Sequence, residues 1–291
     1  MKENTPNRKY QDTLFRTIFG REEHKPWLLE LYNALNDSNY QNIDDLALTT
    51  IEDVVYIKMK NDVSFLLDSR MNLYEHQSSY NPNMPLRGFF YFAKLYQNYI
   101  TTNDISIYNS TLKKIPTPEY IVFYTGDDKK LDFITELKLT NAFEIPRNDK
   151  NFEWTCKVIN LTSDKGKELN KKCKPLYDYC SFVAKVKQNR KDGMTLGEAI
   201  NQAVDWAIEE NLLDGLFKRE RSQIMGDILT EFDEELFLRT NFQDGKEEGA
   251  RETALKNARN LLQMNLLTPE QIALATELPL QEILALKNSL Q

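Results

Sequence analysis

The side chains best suited to chemistry are those of Asp62, Glu75 and Gln77, in the stretch from residue 60 to residue 87. Successive side chains of a strand point to opposite faces, and these three fall on the polar-bearing face of two otherwise apolar segments. The opposite face of the first segment is predicted to be core and carries Val63, Phe65 and Leu67. The stretch therefore predicts a β-hairpin that presents acidic and amide groups.

The predicted hairpin turn lies between Asp68 and Ser69, which separate the two apolar segments. A turn at that point places Asp62 directly opposite Glu75, with Cβ atoms about 4.5–5.5 Å apart. Two carboxylates at that separation repel each other unless a cation lies between them. Oxygen ligands favour a hard ion such as Mg²⁺ or Mn²⁺ over zinc. On geometry alone, an acidic pair on a solvated hairpin face explains the pattern equally well.

An Asp at the start of one strand and Glu-x-Gln on the next resemble the PD-(D/E)XK nuclease superfamily. Four further tracts narrow the resemblance to its recombination-promoting nuclease and transposase family: NDVSF at 61–65, YEHQS at 74–78, NPNMPLR at 81–87 and IPTPEYIVFYTG at 115–126. The resemblance runs over the first two thirds of the chain. It implies a restriction-endonuclease-like α/β (α+β) core, a mixed central sheet flanked by helices, and Mg²⁺-dependent DNA cleavage linked to recombination or transposition.

The resemblance also implies roles for individual residues. Asp62, Glu75 and the backbone carbonyl of His76 would bind one or two metal ions, and Gln77 would be catalytic and orient the attacking water. Gln77 stands where most members of the superfamily carry lysine, so another residue has to supply the positive charge. The candidates are Lys58, Lys60, Arg87 and Lys94, of which Lys60 is nearest the site in sequence.

Asp12 is an accessory candidate on a helix predicted to begin at residue 7 and end at Gly20. In the family's pattern an Asp precedes an F-x-x-x-F pair, which is Phe15 and Phe19 in this chain. A carboxylate in the first turn also stabilises a helix through the helix dipole, and this explanation is at least as good.

Arg87 and Lys94 lie on a helix predicted to run from Pro85 to Ile100. The apolar spacing predicts a buried face made of Leu86, Phe89, Phe90, Ala93, Tyr96 and Ile100. Arg87, Tyr91, Lys94 and Asn98 then fall on the opposite, solvated face. An arginine at the start of this helix could still reach a phosphate beside the metal ion.

Composition describes an ordinary water-soluble globular protein. The 291 residues are 41% hydrophobic and 28% charged, and no apolar run is long enough to span a membrane. The N-terminus lacks the apolar region of a secretory signal, so a cytoplasmic location is expected. The formal net charge of −7 argues against a general electrostatic grip on DNA, although a local basic rim could hold a phosphate.

The order of patterns predicts three regions: a nuclease core in residues 1–190, a helical extension in 191–244, and a C-terminal helical module in 245–291. Two strands follow the hairpin, around residues 120–124 and 153–161, and only helices are predicted after residue 164. Gly245 and Gly249 mark a hinge. The C-terminal helices offer Lys287 as their one cation in the last helix, which favours homo-oligomer formation over DNA reading.

Two classes of function remain open. The first is a metal-dependent DNA endonuclease with DNA as its partner. The second is a degenerate nuclease fold that binds DNA or another protein without cleavage, which both Gln77 and the net negative charge favour. No P-loop or G-x-G-x-x-G is present, which counts against ATP or dinucleotide chemistry.

Overall fold

The computed structural model describes residues 9–49, 62–127, 129–145, 152–225, 254–263, 267–276 and 278–289. The chain divides into two units, Met1–Thr230 and Glu231–Gln291. Several parts of the chain that the sequence singles out lie outside the described residues. They are the segment at residues 54–57, whose β-branched and aromatic residues predict a strand, the candidate cations Lys58 and Lys60, and the hinge glycines Gly245 and Gly249. The predicted division at residues 190 and 244 stays a prediction.

A mixed six-stranded sheet forms the centre of the first unit, in the order β1-β2-β3-β4-β6-β5. Strands β3, β4 and β6 run parallel to one another, and the remaining neighbours pair antiparallel. The strands are β1 Ala47–Leu48, β2 Val63–Leu67, β3 Arg70–Gln77, β4 Thr117–Tyr124, β5 Ile134–Lys138 and β6 Thr155–Asn160. The predicted mixed sheet is confirmed.

The hairpin register is also confirmed. Val63 pairs with Tyr74 and Leu67 with Arg70, across a two-residue turn at Asp68 and Ser69. Both turn residues have positive φ, at 51° and 56°, as expected for the turn type that matches the twist of a hairpin. Continuing this register by one step places Asp62 opposite Glu75, as the sequence predicted.

Helices cover both faces of the sheet. Val63, Phe65 and Tyr74 face a core built with helices α1 Lys9–Phe19, α2 Lys25–Asn36, α4 Asp164–Lys172, α5 Lys174–Lys191, α6 Leu196–Glu209 and α7 Leu216–Arg219. Met71 and Leu73 point to the other face, where they pack with α3 Met84–Thr102. The side chains of the hairpin therefore alternate between the two layers of the core, as predicted.

The predicted buried face of α3 is wrong. Its buried residues are Met84, Pro85, Gly88, Tyr91, Phe92 and Leu95. Leu86 and Phe90, which were expected inside, are 41% and 45% exposed. Gly88 faces the sheet and packs closely on Tyr120. A Cβ atom at this position would lie 2.2 Å from Cε1 of Tyr120, so the close approach requires glycine. Arg87 and Tyr91 lie on the same side of the helix as Gly88, and Arg87 contacts the buried carboxylate of Glu75.

Two strands were missed by the sequence patterns. Strand β1 has only two residues, and β5 is an edge strand on which exposed and covered residues alternate. Neither segment offers the apolar run that marks a central strand. Strand β6 confirms the predicted strand near residues 153–161 and takes a place between β4 and β5.

The second unit consists, in its described residues, of helix α8 at residues 254–263, α9 Pro269–Thr276 and α10 Leu280–Ser289. Ala258, Ile272 and Ile283 form its core. A capping box precedes α9, since the Thr268 amide donates to Oε1 of Gln271 at 3.0 Å and the Gln271 amide donates back to Oγ1 of Thr268 at 3.4 Å.

Gly88→Ala should destabilise the fold by about 1–3 kcal/mol, because the added methyl group overpacks the contact between α3 and Tyr120. Gly197→Ala is the matched control, since a Cβ at this helical glycine meets nothing within 4 Å. That variant should be neutral or gain up to about 1 kcal/mol from helix propensity. Urea unfolding followed by circular dichroism measures both changes. Equal stability of the two variants would contradict the close approach.

Candidate active site

Glu75 is the most deeply buried acid of the hairpin, with 1% of its surface exposed. Its Oε2 accepts a hydrogen bond from the Tyr120 hydroxyl at 3.3 Å and lies 3.4 Å from Nη2 of Arg87. Its Oε1 is buried and has no hydrogen-bond partner among the described residues. Burial raises the pKa of Glu75 to about 7, against the opposing influence of Arg87.

Asp62 lies immediately before β2, and its Oδ2 accepts a hydrogen bond from the backbone N–H of His76 at 2.7 Å. Desolvation raises the pKa of Asp62 well above its usual range, and the negative charges of Asp12 and Glu75 raise it further. The His76 amide and Arg16 act in the opposite direction. The predicted acidic pair is therefore electrostatically coupled, and a third carboxylate takes part.

Asp12 reaches the same strand end from α1. Its Oδ1 lies 2.7 Å from Nδ1 of His76, and because a carboxylate oxygen only accepts, that nitrogen carries the proton. His76 thus points away from Glu75 into the helical layer, as the alternation predicted. The backbone N–H of His76 binds Asp62 and the ring of His76 binds Asp12. Glu75 directly precedes His76 in β3, so the three acids lie around this one residue.

Gln77 closes β3, and its backbone carbonyl accepts a hydrogen bond from the Thr125 amide at 3.0 Å. Thr125 follows β4 and sits 2.8 Å, through its Oγ1, from Nε2 of His76. The parallel pairing of β3 with β4 thus brings the end of the Glu-x-Gln tract beside Thr125. The side chain of Gln77 is partly buried.

Arg87 is the predicted accessory cation that the described structure places at the acidic pair. Besides the contact with Glu75, its Nη2 donates to the Tyr91 hydroxyl at 3.2 Å. Lys94 lies two helical turns farther along α3, where its Nζ is 3.5 Å from Oε1 of Gln97. The geometry therefore brings Arg87, and not Lys94, into contact with Glu75.

A family model described as a PD-(D/E)XK nuclease family transposase matches residues 9–240. The chain belongs to this family. The match includes every element of the sheet and every candidate site residue. Searches of curated proteins and of solved structures gave no match. Within the described residues, no helix is long and apolar enough to cross a membrane.

PD-(D/E)XK nucleases generally use a divalent metal ion. The next question is whether the acidic side chains of this site could bind one. No group of three or more His, Cys, Asp or Glu among the described residues is arranged as a metal centre. Mg²⁺, however, is usually bound by one or two carboxylates together with waters and phosphate oxygens. Asp62 and the orphaned Oε1 of Glu75 fit that requirement.

Three partners of the site were not predicted from the sequence: Tyr91, Tyr120 and Thr125. Tyr91 was assigned to the solvated face of α3, and Tyr120 and Thr125 were noted only as part of the tract at 115–126. Their roles depend on which residues of α3 and β4 face Glu75 and His76. Periodicity within one segment does not contain that information.

Glu75 should make stability fall with rising pH in metal-free protein. The folded state keeps its proton up to a pKa of about 7, whereas the unfolded state loses it near the ordinary value of 4.5. Between these values the folded state binds more protons, so the unfolding free energy falls by up to about 1.4 kcal/mol per pH unit.

Glu75→Gln removes this titration. Urea unfolding in EDTA from about pH 5 to about pH 7 should give a shallower slope for the variant than for the parent. Identical slopes would contradict the burial of an uncompensated carboxylate at this position.

Proposed function

We propose that this protein is a metal-dependent DNA endonuclease that hydrolyses phosphodiester bonds and serves DNA recombination or transposition. The observation that carries the proposal is the buried Glu75 carboxylate, whose unpartnered Oε1 belongs to a cluster of three mutually repelling acids. Such a cluster is stabilised by a cation. Membership of a PD-(D/E)XK nuclease family supports the reaction class, and DNA as the substrate is part of the proposal.

Asp62 and Glu75 would hold Mg²⁺ or Mn²⁺, with the backbone carbonyl of His76 as a further ligand. When bound, the ion lowers the pKa of an attacking water and neutralises charge on the scissile phosphate. Asp12 keeps the His76 ring fixed and so positions the strand end that carries these ligands. Gln77 would orient the water through its side-chain amide.

In this proposal Arg87 supplies the positive charge of the lysine that Gln77 replaces. Its guanidinium group already lies beside Glu75 at the start of α3 and remains about one third exposed. A cation at this position can neutralise charge that develops on the phosphate in the transition state. Tyr91 and Tyr120 hold Arg87 and Glu75 in place by hydrogen bonds.

A non-catalytic fold that binds DNA or a protein is the second candidate. The ion pair between Arg87 and Glu75 favours it, because a resident cation offsets the buried charge without a metal ion. The two candidates differ in metal binding and in turnover. The homo-oligomer expected through the C-terminal helices belongs to either one and stays a prediction.

Asp62→Asn and Glu75→Gln should each reduce metal-dependent nicking of supercoiled plasmid by at least about 100-fold, since removal of a residue that only supports a ligand costs 10–100-fold. Glu136→Gln is the matched control, because this carboxylate lies exposed on edge strand β5. It should cleave like the parent. Parent-like cleavage by either site variant in the same Mg²⁺ would show that the site is wrongly assigned.

Gln77→Lys should keep cleavage or increase it. A lysine here adds positive charge where negative charge develops, and a single donor in such a position is worth about 2.7–4 kcal/mol. Nicking rates against Mg²⁺ concentration, measured for parent and variant together, test this expectation. Loss of all activity with unchanged metal affinity would mean that the amide makes a contact that lysine cannot reproduce, and the water-orienting role would be wrong.

A further inference from the structure

A cavity of about 560 Å³ opens beside α4 and α5, where β4 and β6 end. Thr125 and Leu161, which follow these two strands, line it together with residues of both helices. This volume lies within the range of pockets that bind small organic ligands. None of the proposed metal ligands lines it, so the cavity is a separate part of the first unit.

Positive charge is concentrated in the lining. Lys167 and Lys171 are four residues apart on α4, and Lys187 and Lys191 are four apart on α5, so each pair lies on one helical face. Asp127 is the one carboxylate among the described residues of the lining. The lining thus carries an excess of three positive charges on a chain of net charge −7.

Two of these lysines have partners, and the other two have none among the residues that the structure describes. Nζ of Lys187 donates to the Thr125 carbonyl at 2.6 Å and to Asp127 Oδ2 at 2.9 Å, which fixes the wall. Lys167 lies 3.4 Å from Asp164 on the exposed surface. Lys171 and Lys191 make no ion pair with any described residue, so an anionic ligand could take both.

Asn170 also lines the cavity and supplies a hydrogen-bond acceptor. It is 4% exposed, and its Nδ2 donates to the Leu161 carbonyl at 3.3 Å. Its Oδ1 is buried without a hydrogen-bond partner among the described residues. A buried acceptor of this kind requires an N–H or O–H donor. Apolar surface from Val183 and Ala184, and the ring of Tyr177, complete the lining.

The cavity is joined to the acidic cluster by one residue. Thr125 lines the cavity, donates its amide hydrogen to the Gln77 carbonyl and places its hydroxyl 2.8 Å from His76. A ligand in the cavity therefore lies next to the strand end that carries the Glu-x-Gln tract. A ligand that carries both a negative charge for the lysines and a hydrogen-bond donor for Asn170 has the chemistry of a nucleotide.

We propose that this cavity binds one nucleotide of a DNA strand, next to the phosphodiester that is cleaved. This inference rests on the proposed endonuclease function and names the surface that holds its substrate. Lys171 and Lys191 bind the phosphate, and Asn170 Oδ1 accepts a hydrogen bond from the base. A free mononucleotide offers the same groups, so the test has to separate it from a strand.

Fluorescence anisotropy of a labelled single-stranded oligonucleotide, measured on the full chain in EDTA, tests the inference without cleavage. The double variant Lys171→Glu/Lys191→Glu should bind at least tenfold more weakly, and the magnitude of its log–log salt slope should fall by about 0.7, the value for the loss of one phosphate contact on a single strand. The control Lys165→Glu/Lys218→Glu makes the same change in net charge at exposed positions outside the cavity. It should bind like the parent. Equal binding by both double variants would overturn the inference.

Competition with dTMP, whose base carries an N–H donor, identifies the ligand. dTMP should displace the labelled strand from the parent, and Asn170→Leu should weaken dTMP binding while it leaves the salt dependence of strand binding unchanged. Binding of dTMP without displacement of the strand would make a free mononucleotide the ligand and overturn the assignment to DNA.

Plasmid nicking in Mg²⁺ or Mn²⁺ separates this inference from the proposed function. Cavity-dependent strand binding in a parent that does not nick would reject the endonuclease and retain the nucleotide site. Nicking by a parent whose strand binding is indifferent to Lys171 and Lys191 would reject the nucleotide site alone.

Discussion

The site depends on one constraint: a carboxylate buried between the sheet and α3. Glu75 gives up almost all of its hydration, and Arg87 and Tyr120 satisfy only one of its two oxygens. Burial of a charged carboxylate with an unsatisfied oxygen is energetically unfavourable unless the group is protonated, paired with a cation or bound to a metal ion. Both the high pKa of Glu75 and the way α3 presents its polar residues follow from this burial.

The hairpin is the part of the site that the sequence specifies most directly. Its register follows from a two-residue turn and from a strict alternation of side chains, so a shift by one residue would exchange the faces of the whole strand. Asp62, Glu75 and His76 therefore take their predicted faces. Asp12 could be connected to them only through the family resemblance, because 50 residues separate it from Asp62.

The face of α3 could not be predicted in the same way. Its apolar residues and its polar residues both repeat at helical spacing, and the usual rule places the apolar stripe inside. Here Gly88 allows close packing on Tyr120, and Glu75 draws Arg87 and Tyr91 toward the sheet. These are contacts between distant segments. The cavity beside α5 was missed for the same reason, since its lysines come from two helices and Thr125 comes from the segment that follows β4.

Anomalous diffraction from a crystal of the protein soaked in Mn²⁺ tests the central claim most directly. The account predicts a strong peak within about 2.0–2.3 Å of Glu75 Oε1 and of a carboxylate oxygen of Asp62, at distances that Mg²⁺-like ions adopt with oxygen ligands. A fully ordered pair of carboxylates with no peak between them, and with Glu75 held by Arg87 and Tyr120 alone, would contradict it.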